Sequence, residues 1–279
     1  MFPRISRRAF LASAGIGSAA FLGYSGFVEP GWLEVGRHEI KTNGAGEPIR
    51  LLHLADLHAS WCVSLERIEE GISLGLQCKP DLICVTGDFI TTKFADMDNY
   101  ARVLSRLAGA APTFACLGNH DGGWWAKRHH GHSDTQWVRS LLQKSGVELL
   151  HNRSTEVRLK NRVLRLVGVG DPYSAEVEPA RAFPPPAATR PYCLLLSHNP
   201  DTKRFLAPYS WDLMLCGHTH GGQLWLPIIG APFAPVSDKR FIAGLYHWEN
   251  RLIHITKGIG NIHGLRFNCR PEVSLLTLA

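Results

Sequence analysis

Five short apolar runs, each closed by polar residues, punctuate the chain at 50–55, 82–86, 113–117, 192–197 and 213–216. Runs this short, bounded by turn signals, read as buried strands. Between them the apolar period lengthens to that of a helix. Leu65, Ile68, Ile72 and Leu76 form one stripe ahead of Pro80, and Tyr100, Val103, Leu104 and Leu107 form a second that ends at Gly109. Trp137, Val138, Leu141 and Leu142 form a third, ending at Gly146. Further strands are expected at 147–150, 155–159, 163–169, 241–248, 251–255 and 272–278, with little helix among them. The pattern predicts an α/β fold of two sheets packed face to face with helices outside. The proline-rich span 176–191 reads as a surface loop, too short to separate domains, and no internal repeat is visible.

The polar residues that close these runs carry chemistry. The first run is followed by Asp56-Leu57-His58, the second by Gly87-Asp88 and the third by Gly118-Asn119-His120-Asp121. The fourth ends at Ser197-His198-Asn199-Pro200 and the fifth at Gly217-His218-Thr219-His220. Open α/β sheets place ligands at the carboxyl ends of their strands, and D-x-H or H-x-H spacing sends alternate side chains toward one point. Taken singly, His198 would be a satisfied core histidine and Asp88 a cap. Together they are two carboxylates and four imidazoles beside buried strands, a set that is costly to bury without a cation.

Composition narrows the class. Of the 279 residues, 45% are apolar and 19% charged, which excludes disorder as the main state. A polytopic membrane protein is excluded by a mean hydropathy of −0.06. Seven cysteines, odd in number and without a C-x-x-C pair, read as buried thiols rather than a disulfide scaffold. Three of the basic residues, Arg4, Arg7 and Arg8, lie in the first eight positions, and without them the net charge falls from +6 to +3. No basic stripe with interleaved aromatics follows, so no nucleic-acid partner is expected. Ser6-Arg7-Arg8-Ala9-Phe10-Leu11, followed by a weakly apolar stretch to residue 27, resembles a twin-arginine export signal. Residues 1–28 are read as that signal or as a retained membrane anchor, since no clean A-x-A precedes Val28, and 29–279 as the single domain that carries the strand-end residues. The expected destination is the periplasm or the outer face of the membrane.

The order D-x-H, GD, GNHD, H, GHTH resembles the calcineurin-like metallophosphoesterases over roughly residues 49–278. The phrases Cys216-Gly217-His218-Thr219-His220-Gly221-Gly222-Gln223 and Arg266-Phe267-Asn268-Cys269-Arg270-Pro271-Glu272, with the leader, are similar to its YaeI/YkuE-type phosphodiesterase branch. The resemblance implies a four-layer α/β/β/α sandwich and two divalent metal ions. It assigns Asp56, His58, Asp88 and His220 to one metal, and Asp88, Asn119, His198 and His218 to the other, with Asp88 bridging. By the same resemblance His120 is no ligand but faces the substrate, with Asp121 orienting it. Every ligand position is filled.

Two divalent ions with Asp56, Asp88 and a hydroxide leave the site at roughly +1, attractive to a monoanionic phosphodiester. Such a pair, about 3.5–4 Å apart, supplies the hydroxide and holds attacking and leaving oxygens in line. The mixed imidazole, amide and carboxylate donors favour Mn, Fe, Co or Zn, with Mn expected first in an assay. The substrate is a phosphodiester or pyrophosphate, lipid-linked substrates included. The alternative within the superfamily is a UDP-2,3-diacylglucosamine pyrophosphohydrolase of lipid A synthesis; the alternative of another class is a non-catalytic binding module. Gly258-Ile259-Gly260 lacks the third glycine and the setting of a dinucleotide loop. His129, His130 and His132, beside Trp124 and Trp125, read as a solvated loop, with a third metal or a substrate flap as the rival readings. Arg266 and Arg270 are either phosphate clamps or surface residues.

Overall fold

The computed structural model describes residues 6–42, 46–185 and 190–279; Arg4 and part of the proline-rich loop lie outside them. The apolar runs become strands of two six-stranded sheets. In chain order these are β1 (Glu34–Ile40), β2 (Ile49–Leu54), β3 (Leu82–Thr86), β4 (Thr113–Cys116), β5 (Glu148–Leu149), β6 (Arg153–Leu159), β7 (Arg162–Gly168), β8 (Tyr192–Leu196), β9 (Leu213–Cys216), β10 (Gly244–Trp248), β11 (Arg251–Ile255) and β12 (Glu272–Leu278). One sheet has the order β1-β12-β2-β3-β4-β5 and the other β10-β11-β9-β8-β7-β6. The helices are α1 (Arg7–Gly23), α2 (Leu65–Leu76), α3 (Met97–Ala108), α4 (Trp124–Arg128), α5 (Gln136–Ser145) and α6 (Pro179–Ala182).

Alternation along each strand sorts its side chains between two layers of core. In β3, Leu82 and Cys84 join Leu164, Leu194, Leu196 and Leu215 between the sheets. Ile83 and Val85 face outward onto Ile68 and Ile72 of α2, Val103 and Leu104 of α3, and Val138 and Leu141 of α5. All three helical stripes therefore cover one sheet. Ser64 and Asp96 cap α2 and α3 through the amides of Arg67 and Asn99, and Gly146 ends α5 in the left-handed conformation. The outer face of the second sheet is covered more thinly, by α6, a 3₁₀ turn at Pro200–Arg204, and a cluster around Trp211, Leu206 and Phe241. The four-layer order holds, with this last layer reduced to short pieces.

Strands β2, β3 and β4 run parallel, as do β7, β8, β9 and β11. Their polar carboxyl ends are thereby gathered at common edges. β1 escaped the pattern because, as an edge strand, it is mostly half-buried and shows no clean alternation. All seven cysteines are free, and five are buried. No helix among the described residues is long and apolar enough to cross a membrane.

Candidate active site

Five side chains at the strand ends stand on unusual backbone. Asp56 (φ 52°), His58 (φ 49°), Asp88 (φ 55°), His218 (φ 71°) and His220 (φ 50°) all adopt left-handed conformations. Residues other than glycine pay for that region, and such strain persists where surrounding structure imposes it. Here the imposed result is convergence. Ligand atoms of Asp56, His58 and His220 lie within 4.8 Å of one another, as do those of Asp88, His198 and His218, and those of His58, Asp88 and His120. All are buried.

The two halves share Asp88. Its Oδ2 lies 3.0 Å from His198 Nε2 and 3.4 Å from His58 Nε2. Ring nitrogens meet in pairs, His58 Nε2 with His220 Nε2 at 3.1 Å and His198 Nε2 with His218 Nδ1 at 3.1 Å. The Asp56 carboxylate accepts the His218 amide at 3.0 and 3.1 Å, and Asp88 Oδ1 accepts the His120 amide at 2.9 Å. Neighbouring glycines make room. A Cβ on Gly118 would stand 2.2 Å from Asp88 Oδ1, and one on Gly217 2.3 Å from Asp56 Oδ2.

Backbone carbonyls fix the imidazoles from behind. His198 Nδ1 donates to Thr86 O at 2.8 Å, which turns Nε2 toward Asp88. The Thr86 hydroxyl meets His53 Nε2 at 2.8 Å. His120 Nδ1 donates to Thr91 O at 2.6 Å and leaves Nε2 as its free ring nitrogen. The orienting group of His120 is thus Thr91, which corrects the role expected of Asp121. Asp121 instead accepts the amides of Asp88, Gly118 and Phe89 at 2.9, 2.8 and 2.7 Å, pinning two strand ends together.

The protonation states follow from burial and charge. Burial pushes His218 down to about 3, aided by His198, and His58 down to about 4 against the pull of Asp88. Burial, with His58 and Arg266 nearby, holds His220 well below its ordinary value. These three imidazoles are neutral, as metal ligands must be. His198 differs: burial opposes its charged form, but Asp88 outweighs that and raises it. Burial opposes the charged form of Asp88 as well, yet His198 and His120 hold it well below the usual carboxylate range. Burial, with Asp88 adding, pushes Asp56 up to about 7 and Asp121 up to about 8.

A divalent cation suits this donor set. Among the described residues, Asn119 Oδ1, His218 Nε2 and His220 Nδ1 are buried without a hydrogen-bond partner. Unsatisfied acceptors and facing nitrogen lone pairs are costly in a buried site, and a cation relieves both. In a further group, His38, His254 and Glu272, the carboxylate is already taken by Lys257 at 3.2 Å.

Residues 49–222 match the family model described as calcineurin-like phosphoesterase. The chain belongs to the calcineurin-like phosphoesterase family. Phosphodiesterase YaeI of Escherichia coli (strain K12) is 44% identical, over 98% of this chain and 99% of its own. The metallophosphoesterase YkuE of Bacillus subtilis (strain 168) is 27% identical over 99% and 98%. UDP-2,3-diacylglucosamine pyrophosphatase LpxG of Chlamydia muridarum (strain MoPn / Nigg) is 27% identical over 82% and 83%. As a calcineurin-like phosphoesterase the chain is a hydrolase, and its buried Asp and His side chains are positioned to hold divalent metal.

Other residues of this calcineurin-like phosphoesterase became visible only in three dimensions. Asp171, after β7, is buried with Oδ2 unpartnered, and burial pushes it up to about 7. Its Val169-Gly170-Asp171 context repeats the strand-end pattern and could have been found by it. Tyr173 packs edge-on against His218 at 5.0 Å, and Trp125 against His120 at 4.6 Å. His129 stacks on Trp125 at 4.0 Å and His132 on Trp137 at 5.7 Å; His129 and His130 are exposed, so the loop is solvated as expected, and it is Trp125 that reaches the site. Arg266 is neither clamp nor surface residue. It is fully buried and donates to the carbonyls of Lys257 at 2.8 Å and Cys269 at 3.1 Å, bracing the loops behind His220. Arg270 lies over the Trp32 ring at 3.4 Å. Gly258 and Gly260, set aside as a dinucleotide loop, back the first site loop: the amides of Ile259 and Gly260 donate to Ala55 and Asp56 at 3.2 and 2.7 Å.

Proposed function

We propose that this hydrolase is a phosphodiesterase using two divalent metal ions, Asp56, His58, Asp88 and His220 holding one and Asp88, Asn119, His198 and His218 the other. The observation that carries the reading is the position of Asp88, whose single Oδ2 lies within 3.4 Å of a histidine from each half of the site. Divalent ions bound there would activate water and neutralise charge on the phosphoryl oxygens. Mn is the metal to load first, with Fe, Zn and Co as the other ions this donor set accepts. The chain's own residues do the rest. Thr91 aims His120, whose Nε2 delivers a proton to the leaving oxygen. Trp125 and Tyr173 wall the substrate's approach. The 44% identity to a named phosphodiesterase supports the substrate class.

A second reading has its own support. The Chlamydia relative named UDP-2,3-diacylglucosamine pyrophosphatase favours a lipid-linked pyrophosphate as substrate. That substrate is made on the cytosolic side, whereas Arg7-Arg8 supports export by the twin-arginine route to the periplasm or the outer membrane face. Contact of Phe21 with Phe267 at 4.8 Å supports residues 1–28 as a retained anchor on the 29–279 domain.

The experiment compares Asp88→Asn with Asn119→Ala by metal analysis and by hydrolysis of bis-p-nitrophenyl phosphate. Asp88→Asn should lose both metals and all activity, while Asn119→Ala retains one metal and residual turnover. Near-normal metal content and turnover in Asp88→Asn would refute the bridging assignment. Hydrolysis of UDP-2,3-diacylglucosamine in preference to diesters selects the second reading.

A further inference from the structure

The loop after the second histidine pair is uncharged throughout residues 223–236. It turns its largest apolar side chains to solvent: Ile228 is fully exposed, Phe233 is 70% exposed, and Ile229 and Trp225 are exposed beside them. Isolated exposed apolar residues are ordinary, but a run of four large ones on one loop is not. A groove of about 320 Å³ runs along this loop, lined by His220, Leu224, Phe233, Pro235 and Ile262. The groove thus runs from this apolar face to one residue of the metal-ligand cluster, His220.

A second apolar element adjoins it. α1 and the turn that follows expose Ile16, Leu22, Phe27 and Val28. They are tied to the same region through Phe267: Phe21 packs on its ring at 4.8 Å and Tyr24 at 6.2 Å, while its backbone pairs with Gln223 and Trp225 at 3.0 and 2.8 Å. Ser25 O also accepts the Arg266 amide at 2.8 Å. One short segment thus joins the two apolar elements. Residues 9–28 carry no charge, and exposed Arg7 and Arg8 stand at the start of α1.

We propose that the 223–236 loop and α1 together form a docking face for an anionic lipid bilayer, which seats the His220 groove at the membrane surface. The charge arrangement selects this occupant. An uncharged apolar face flanked by paired arginines matches hydrocarbon beneath anionic headgroups, and apolar area and basic charge add in such binding. The inference goes beyond attachment through the N-terminal segment, because it gives the 223–236 loop an independent share. It also does not rest on the reaction: vesicle binding is read without turnover, so its failure and failure of the phosphodiesterase reading are separate results.

The test is flotation of the full-length protein with vesicles of phosphatidylcholine and phosphatidylglycerol, against phosphatidylcholine alone. The wild type should float with the anionic vesicles. Ile228→Glu/Ile229→Glu should lower the bound fraction about tenfold or more, since two inserted side chains become charged. An unchanged melting temperature shows that this double variant is folded. Ile228→Ser/Ile229→Ser, which adds no charge, should give a smaller loss in the same direction. Wild-type flotation by both double variants would overturn the proposal, leaving α1 as the sole attachment. A wild-type dimer that does not float, and that the loop variants convert to monomer, would assign the face to self-association and overturn it equally.

Discussion

Asp121 holds Asp88 by its main chain: Asp121 Oδ2 accepts the Asp88 amide at 2.9 Å, while Oδ1 takes the next amide, that of Phe89, at 2.7 Å. Since Oδ2 also accepts the Gly118 amide at 2.8 Å, one buried carboxylate locks the end of β3 to the end of β4. The left-handed backbone of Asp88, and with it the placing of its carboxylate between His58 and His198, depends on that lock.

Asp121→Ala should therefore strand three buried amides, at a cost of about 1–3 kcal/mol each. Thermal unfolding should show a large fall in Tm. Metal affinity should fall about 10–100-fold, as when groups behind metal ligands are removed. Titration of the apo-protein with Mn checks this, and wild-type affinity with wild-type Tm would show that Asp88 is held by other means.

His120 is testable through the leaving group. Protonating a basic alkoxide is worth roughly 10²–10⁴-fold, whereas p-nitrophenolate departs without a proton. His120→Ala should slow an alkyl or sugar diester far more than bis-p-nitrophenyl phosphate. Equal losses in kcat/KM, with both metals bound, would replace the acid role by stabilisation of phosphoryl charge.

Gly217→Ala places a methyl 2.3 Å from Asp56 Oδ2 and 2.6 Å from Ala55 Cβ, contacts that real Cβ atoms do not make. Asp56 must move. Metal analysis should show the Asp56-side ion lost while the His198 side still loads, so that content falls from about two ions per chain toward one. Activity should drop about 10²-fold or more, because small displacements at a reacting centre are costly. Full occupancy by both ions would show that the loop accommodates the methyl without moving the ligand.

Arg7→Lys with Arg8→Lys keeps the charge but removes the paired guanidinium groups. If the leader works by the twin-arginine route, cell fractionation should find the folded variant in the cytosol and the wild type at the envelope. Unchanged delivery would remove the twin-arginine assignment and leave charge alone as the signal.

The helical stripes and buried strands could be read from residues, because burial repeats along each element with a period that sequence displays. The stripe of Leu65, Ile68, Ile72 and Leu76 became α2 within its own limits, and the run at 82–86 became β3. β1 was not readable, since an edge strand buries little and its pairing depends on β12, far along the chain. α4 was missed for a similar reason: it is only one turn or so long and presents too few residues for a period.

What the sequence determined by itself was the list of chemical groups and their attachment to strand ends: Asp56, His58, Asp88, Asn119, His120, His198, His218 and His220 each follow an apolar run that must be buried. What only the tertiary structure decided was which groups meet. The His218 amide reaches Asp56 across 162 positions, Thr91 rather than Asp121 orients His120, and Arg266 braces loops instead of facing solvent. The reason is physical. Burial of an apolar run is a local property, written in its period, whereas a contact between strand ends depends on sheet order and on the left-handed turns that follow each strand, which are decided when the two sheets pack.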